Sequence, residues 1–353
     1  MATIKDVANR AEVSTATVSH VINKTKFVSQ EVRDKVLNAI EETGYIPNNI
    51  ARSLKVNQTK TIGLIVAYIE NPIYSGVFRE IEKYARNHGY SVLICNSNDD
   101  PDIEEEQIQL LLTNRVDGLI IVPSKNSKIP KKGLIPEGFP VCFLNRQLSG
   151  YSVPSVVIEN KQASYEAVNH LIQKHNQKEV GIILGERHNQ LSKERHEGYR
   201  LALLENSIEY NDDLVIEGYS TFQGGVSAVR DLASEGYFPD SVFITGTTMM
   251  LGFMFELKKM GISCPADISI IGFSDTNMSP LMDPPLSAVA QPINKLAERS
   301  VELLFEQIDG AKKGDLVEVL SCKVNYRMSC GCHWEPKFSQ SNYDKFYESV
   351  YSE

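Results

Sequence analysis

The chain has 353 residues, enough for two or three domains with sizeable cores. Its 42% hydrophobic and 23% charged residues exclude a disordered or collagen-like chain. The longest apolar runs, such as 118–123, fall far short of the ~20 residues a spanning helix needs.

The N-terminus, Met-Ala-Thr-Ile-Lys-Asp, has no apolar stretch behind a basic one, so no signal peptide is expected and the cytoplasm is the expected location. The six cysteines, at 95, 142, 264, 322, 330 and 332, are scattered in a way that suits a reducing compartment better than a disulfide framework. Net charge is −9, yet residues 1–60 carry nine Lys/Arg against six Asp/Glu. A basic head on an acidic body suggests that only the head meets a polyanion.

Three short helical patterns open the chain. Thr3 can cap a helix with Ile4, Val7, Ala8 and Ala11 on one face. Ser14 can cap a second, with Val18, Val21 and Ile22 inward and Thr15, Ala16, Ser19, His20 and Asn23 outward. Ser29 can cap a third that buries Val32, Val36, Leu37 and Ile40 and stops at Gly44. About three residues separate the first two helices, the spacing of a helix-turn-helix. Small residues early in the second helix would let its backbone approach base edges, and Ser14, Thr17 and Ser19 could bond phosphates. A small helical bundle with a polar surface fits these three patterns as well.

The next segment narrows the choice. Thr-Ile-Lys-Asp-Val-Ala (3–8), Val-Ser-Thr-Ala-Thr-Val-Ser (13–19), Val-Ile-Asn (21–23), Gly-Tyr-Ile-Pro-Asn (44–48) and Ala-Arg-Ser-Leu (51–54) resemble, in order and spacing, the signature of the LacI/GalR family of bacterial transcriptional regulators. The resemblance implies DNA contacts from Thr3, Ser14, Thr15, Ala16, Thr17, Ser19, His20 and Asn23 in the head. It implies further contacts from Asn48, Ala51, Arg52, Leu54 and Lys55 in a hinge helix. Thr15 and Ala16 match base-facing positions, and Leu54 matches the leucine that wedges into the minor groove. His20 departs from the family's usual arginine and can donate one hydrogen bond where arginine reads guanine with two.

From Thr61 onward, strand-like runs (62–67, 91–95, 118–122, 141–144, 180–184, 242–245, 268–273) alternate with helical stripes (77–88, 103–114, 164–174, 193–205, 225–235, 249–260, 292–309). Alternation predicts parallel, doubly wound α/β sheets, and some 260 residues suggest two subdomains with a cleft between them. The expected organisation is an all-α helix-turn-helix head at 1–46 and a hinge helix and linker at 47–60. A periplasmic-binding-protein-like core would follow, its N-terminal subdomain from 61–160 and 291–327, its C-terminal subdomain from 161–290. Chain crossovers are expected near 160 and 290, and residues 328–353 read as a C-terminal extension.

No phosphate loop, G-x-G-x-x-G, G-x-S-x-G or H-E-x-x-H motif occurs, so no enzyme and no cofactor are expected. No metal site is expected either. The histidines lack ligand spacing, His170 and His175 read as surface residues, and Cys330-Gly331-Cys332-His333 lacks a fourth ligand. Asp99, Asp100 and Glu104–Glu106 read as a solvated loop and helix start.

By resemblance, the effector positions are Asn71, Ile73, Tyr74, Asn145, Arg146, Arg195, Ser220, Phe222, Thr247, Ser274 and Asp275. Arg195 opens the pattern Arg-His-Glu-Gly-Tyr (195–199). Ser220, Thr247 and Ser274 stand where the family has an aromatic platform, part of an Asn-Asp or Thr-Asp pair, and the first aspartate of Gly-Phe-Asp-Asp. Losing two carboxylates removes strong contacts to sugar diols and would leave Arg146 and Arg195 less neutralised. Two readings follow: a larger, more apolar or anionic small molecule replaces a plain sugar, or a protein partner takes over control. The expected activity is a homodimeric repressor of a carbohydrate-use operon acting on palindromic operator DNA, with no membrane partner. A solute-binding protein for transport would need a signal peptide and no basic head. A helix-turn-helix fused to a sugar kinase would need nucleotide-phosphate loops.

Overall fold

The computed structural model describes residues 2–23, 25–45, 58–129, 133–148, 151–234, 236, 238–311, 314 and 316–335. The proposed hinge contacts Asn48, Ala51, Arg52, Leu54 and Lys55 lie outside these residues, as does the aromatic stripe Tyr343, Phe346, Tyr347, Val350, Tyr351. The chain divides into two compact units between Thr59 and Lys60.

The first unit holds α1 (Ile4–Arg10), α2 (Thr15–Asn23) and α3 (Gln30–Thr43). A capping box starts α1: the Thr3 hydroxyl accepts from the Asp6 amide while the Asp6 carboxylate accepts from the Thr3 amide. Ser14 accepts from the Thr17 amide at 3.1 Å to start α2. Ser29 stands at the start of α3 without a side-chain cap, and Gly44, left-handed at φ 60°, ends that helix. The core joins Val7, Ala8, Ala11, Val18, Val21, Val36 and Ala39. Leu37, expected inside, is half exposed, because the inward ridge of α3 runs through Val36 and Ala39.

The second unit carries two six-stranded sheets. The first runs β11-β5-β4-β3-β1-β2, built from β1 (Thr61–Val66), β2 (Ser91–Asn96), β3 (Gly118–Ile121), β4 (Val141–Leu144), β5 (Ser155–Ile158) and β11 (Val317–Leu320), all parallel. Against it lie α4 (Pro72–Asn87), α5 (Pro101–Thr113) and α10 (Ile293–Ile308). The second sheet runs β12-β10-β9-β8-β6-β7, from β6 (Val180–Leu184), β7 (Val215–Glu217), β8 (Ser241–Ile244), β9 (Ser269–Phe273), β10 (Ser287–Ala290) and β12 (Lys323–Asn325). Its helices are α6 (Asn160–His175), α7 (Gln190–Glu205), α8 (Phe222–Ser234) and α9 (Thr247–Met260). Strands buried on both faces, such as β3, β4, β6 and β9, read as unbroken apolar runs for that reason.

The chain crosses between sheets three times rather than twice. After β5 it enters the second subdomain, and after β10 it returns through α10 and β11. It then crosses again, because β12 pairs antiparallel with the open edge of β10 (Val289 opposite Val324) while β11 pairs with β5. The expected N-terminal segment 291–327 therefore splits, and 323–327 belongs with the second sheet. The segment from 328 is no appendage at its start: a 3-10 turn, Met328–Cys330, buries Ser329, whose hydroxyl donates to the Ile270 carbonyl at 2.8 Å and accepts from the Ser287 amide at 2.8 Å.

Candidate functional site

In the first unit the N-terminal face of α2 presents Ser14, Thr15 and Ala16 exposed, with Thr17, Ser19 and His20 partly so. The Thr17 and Ser14 hydroxyls are 2.9 Å apart, so both are already ordered by the cap. His20 Nδ1 lies 2.8 Å from the Thr25 hydroxyl, which holds the ring and leaves Nε2 as its outward atom. Asn23 is folded back, donating to the Ser19 carbonyl at 2.8 Å. Thr3 is exposed but committed to the capping box. The arrangement offers hydroxyls to a backbone and small side chains to base edges.

In the second unit a cleft of about 310 Å³ opens between the two sheets at the C-terminal ends of their strands, the place where open α/β sheets bind ligands. Asn71, Ile73, Tyr74, Asn145, Arg146, Arg195, Ser220, Phe222, Thr247 and Ser274 all line it. The first subdomain brings Tyr74 from the first turn of α4, where Asn71 caps the helix by accepting from the Ile73 amide. It also brings Asn145 and Arg146, from the loop that leaves β4. Asn145 sits at φ 65°.

Arg146 is not the open cation expected from the sequence. The buried Asp99 carboxylate grips its guanidinium, and the Pro123 carbonyl accepts from Nη1 at 2.8 Å. Asp99 and Glu104, read as solvated, are both buried. Asp99 also accepts from the Lys125 amide at 3.0 Å, and Glu104 holds the Ser124 amide and the Ser127 hydroxyl, so this acidic cluster braces the loop after β3. Burial raises the Glu104 carboxyl above its ordinary range. Asp100 plays the expected part, capping α5 through the Asp102 and Ile103 amides, and Glu106 is exposed as expected.

Arg195 differs. Its guanidinium carbon lies 3.7 Å from the centre of the Phe273 ring, Nε donates to Asn160 at 3.0 Å, and Nη1 donates to the Thr245 carbonyl at 2.6 Å. Among the described residues no carboxylate pairs with it directly; Asn160 relays it to Glu194 at 2.9 Å. Burial pushes its pKa down to about 10, which leaves it cationic at neutral pH. The Tyr74 hydroxyl, raised by burial and drawn back by Arg146, Asn145 and Arg195, stays a neutral donor beside these cations.

The Arg-x-x-Gly-Tyr pattern that carries Arg195 has a packing reason. A Cβ on Gly198 would come within 2.2 Å of the Lys161 carbonyl, so α7 can lie on α6 only through a bare backbone. Tyr199, fully buried, donates to the Val180 carbonyl at 2.7 Å and fixes the helix rotation.

Ser220, Thr247 and Ser274 bring hydroxyls where the sequence expectation noted missing groups. Thr247 donates to the Ser274 carbonyl at 3.2 Å, and the Ser274 hydroxyl accepts from Gln291 at 2.7 Å. Gln291, missed in the sequence, sits at the return crossover, where no local motif marks it. Tyr68, Ser192, Tyr219 and Thr248 also line the cleft without having been singled out. Asp275 does not join them: both its oxygens are taken by Arg327 at 2.9 and 2.8 Å and a third bond comes from Asn325. The antiparallel return of β12 places Arg327 over it. Across the mouth, Lys125 of the first subdomain pairs with Glu186 of the second at 2.7 Å.

Comparison with known proteins matches both units. Residues 3–48 match the family model described as bacterial regulatory proteins of the lacI family, and residues 59–330 match periplasmic binding proteins and the sugar binding domain of the LacI family. The chain is 35% identical over 310 residues to the HTH-type transcriptional repressor PurR of Pasteurella multocida, covering 88% of this chain and 92% of that protein. It is 33% identical over 308 residues to the ribose operon repressor of Haemophilus influenzae, covering 87% and 92%. Its fold resembles the lac repressor dimer bound to operator and the anti-inducer ONPF, with a TM-score of 0.80, 26% identity, and 93% of this chain and 99% of that one covered.

Proposed function

The chain belongs to the LacI family of bacterial regulatory proteins and is a DNA-binding transcriptional repressor rather than an enzyme, and from that premise we propose that its effector is a small acidic sugar derivative held by Arg195. The observation that carries the reading is the cleft's charge. One guanidinium lacks a direct carboxylate partner among the described residues, and Glu70 is the sole carboxylate among the lining residues. Hydroxyls and amides of Tyr74, Asn145, Ser220, Thr247, Ser274 and Gln291 surround it. A carboxylate or phosphate would pair with the Arg195 fork, and sugar hydroxyls would exchange with the hydroxyl ring. A volume of about 310 Å³ suits a monosaccharide-sized molecule. Asn145 Oδ1 and Arg146 Nε are buried without a hydrogen-bond partner among the described residues, and polar groups of that kind fit a polar ligand.

The protein works as a homodimer in the cytoplasm, on a palindromic operator, since two recognition helices related by a two-fold axis read two half-sites. An effector touching both subdomains favours one arrangement of the cleft and thereby shifts the population competent for DNA. Operator contacts fall to Thr3, Ser14, Thr15, Ala16, Thr17, Ser19, His20 and Asn23, with Asn48, Ala51, Arg52, Leu54 and Lys55 in the hinge.

The test is a thermal-shift and calorimetric screen of sugar acids, sugar phosphates, neutral mono- and disaccharides and nucleobases. A ligand at 100 times its Kd adds about 2.7 kcal/mol of stability. Acidic compounds are expected to bind, and Arg195→Ala to lose that binding and the operator response while still binding operator DNA. Equal binding of a neutral sugar to both proteins overturns the acidic reading. No shift with any class overturns the small-molecule reading and leaves a protein partner as the controller.

A further inference from the structure

Outside the cleft lining, the second subdomain brings two histidines and two cysteines to one point. His170 and His175 belong to the last turns of α6, Cys330 ends the 3-10 turn that follows β12, and Cys332 lies just beyond it. Their ligand atoms, both Nε2 and both Sγ, all lie within 4.8 Å of one another. The Nε2 atoms are 3.2 Å apart, Cys332 Sγ is 3.4 Å from each, and Cys330 Sγ is 3.8 Å from that of His170.

These separations have a direct reading. A tetrahedral zinc with Zn–N of about 2.0–2.1 Å and Zn–S of about 2.3 Å has ligand-to-ligand edges of roughly 3.3 Å (N to N), 3.6 Å (N to S) and 3.8 Å (S to S). The N-to-N edge of 3.2 Å and the three N-to-S edges of 3.4, 3.4 and 3.8 Å lie close to those values. Sulfur and imidazole in equal number select zinc over hard cations such as magnesium or calcium.

Three features hold the four atoms in place. The Tyr326 ring stacks on His170 with centroids 3.6 Å apart, which fixes the plane of that imidazole. Gly331 adopts φ 95°, so the chain can turn between the two cysteines and aim both sulfurs the same way. A Cβ there would also sit 3.2 Å from His175 Nδ1. Cys330 is fully buried, while the other three are partly open, so an ion has a route in.

We propose that His170, His175, Cys330 and Cys332 form a structural Cys2His2 zinc site that staples the C-terminal segment to the end of α6. This departs from the expectation of no metal site. His333, the imidazole the sequence set beside the two thiols, lies instead 3.3 Å from Glu335, and the imidazoles of the cluster come from a helix more than 150 residues upstream. On binding, the two thiols release their protons to solvent and the imidazoles ligate in neutral form. Four protein ligands close the coordination shell, so the site supports structure rather than catalysis. It is independent of the effector reading.

The test uses the untagged full-length chain, purified under reducing conditions and offered equimolar Zn2+ or Co2+. One metal per chain by mass spectrometry is expected. The cobalt form should show tetrahedral d–d bands with thiolate charge transfer. Cys332→Ser and the His170→Asn/His175→Asn pair should each lose the metal while keeping the far-UV circular dichroism of the parent. Chelation should lower Tm and speed amide exchange in 323–335 more than in the first sheet. A folded parent that retains no metal, metal retained in full by Cys332→Ser, or a Cys330–Cys332 disulfide under reductant would each overturn the proposal.

Discussion

At the scale of single residues, what decides the cleft's chemistry is which charges are already spent. Arg146 and Arg195 are both cationic and both line the cleft, yet Asp99 neutralises one and only dipoles and a ring face meet the other. Buried charges of this kind are costly to orphan. Asp99→Asn leaves the Arg146 guanidinium with the Pro123 carbonyl and no counter-ion, and should destabilise the second unit by about 3–5 kcal/mol. Urea denaturation should show a lower midpoint with an unchanged m-value. Asp275 makes the same point from the other side: a carboxylate at an expected ligand position is spent on Arg327.

At the scale of elements, helix contacts place the functional side chains. The α6–α7 interface closes over Gly198, and Arg195 is one turn away on the same helix. Gly198→Ala forces the helices apart by the width of a methyl group against backbone, a change that costs about 1–3 kcal/mol. Because Arg195 Nε reaches Asn160 across that same interface, effector affinity should fall along with Tm. A variant with lowered Tm and unchanged affinity would show that the interface does not position Arg195. The Lys125–Glu186 pair across the mouth is partly solvated, so it contributes about 0.2–1 kcal/mol and biases closure without locking it.

At the scale of the whole molecule, a basic head on an acidic body divides the labour between DNA and effector. The hinge residues lie outside the described structure, so their role stands on the family resemblance and on physical argument. An apolar wedge between base steps costs a few kcal/mol of unstacking, which the contacts to bent DNA offset. Leu54→Ala should therefore weaken operator binding strongly in gel-shift titrations while dimerisation, effector binding and Tm stay as in the parent. Unchanged operator affinity would remove Leu54 from the interface.

The sequence alone determined what repeats locally. Periods of two and 3.6, caps at Thr3 and Ser14, and the stop at Gly44 are set by near neighbours, so the head and most strands and helices of the core could be read from them. Starts were less legible: α4 begins at Pro72 rather than near 77, because Asn71 and Pro72 nucleate a turn before the apolar stripe begins. The family motifs carried ten of the eleven effector positions to one cleft. Only the tertiary structure decided the rest, because those facts join residues far apart in the chain. The pairing of β12 with β10 sends Arg327 to Asp275, Gln291 reaches Ser274 from a crossover, and Asp99 meets Arg146 across 47 positions. The histidines were hidden for the same reason. Five residues apart, they sit ~140° apart around a helix and show no ligand spacing, until a returning segment brings two thiols to the point where their rings converge.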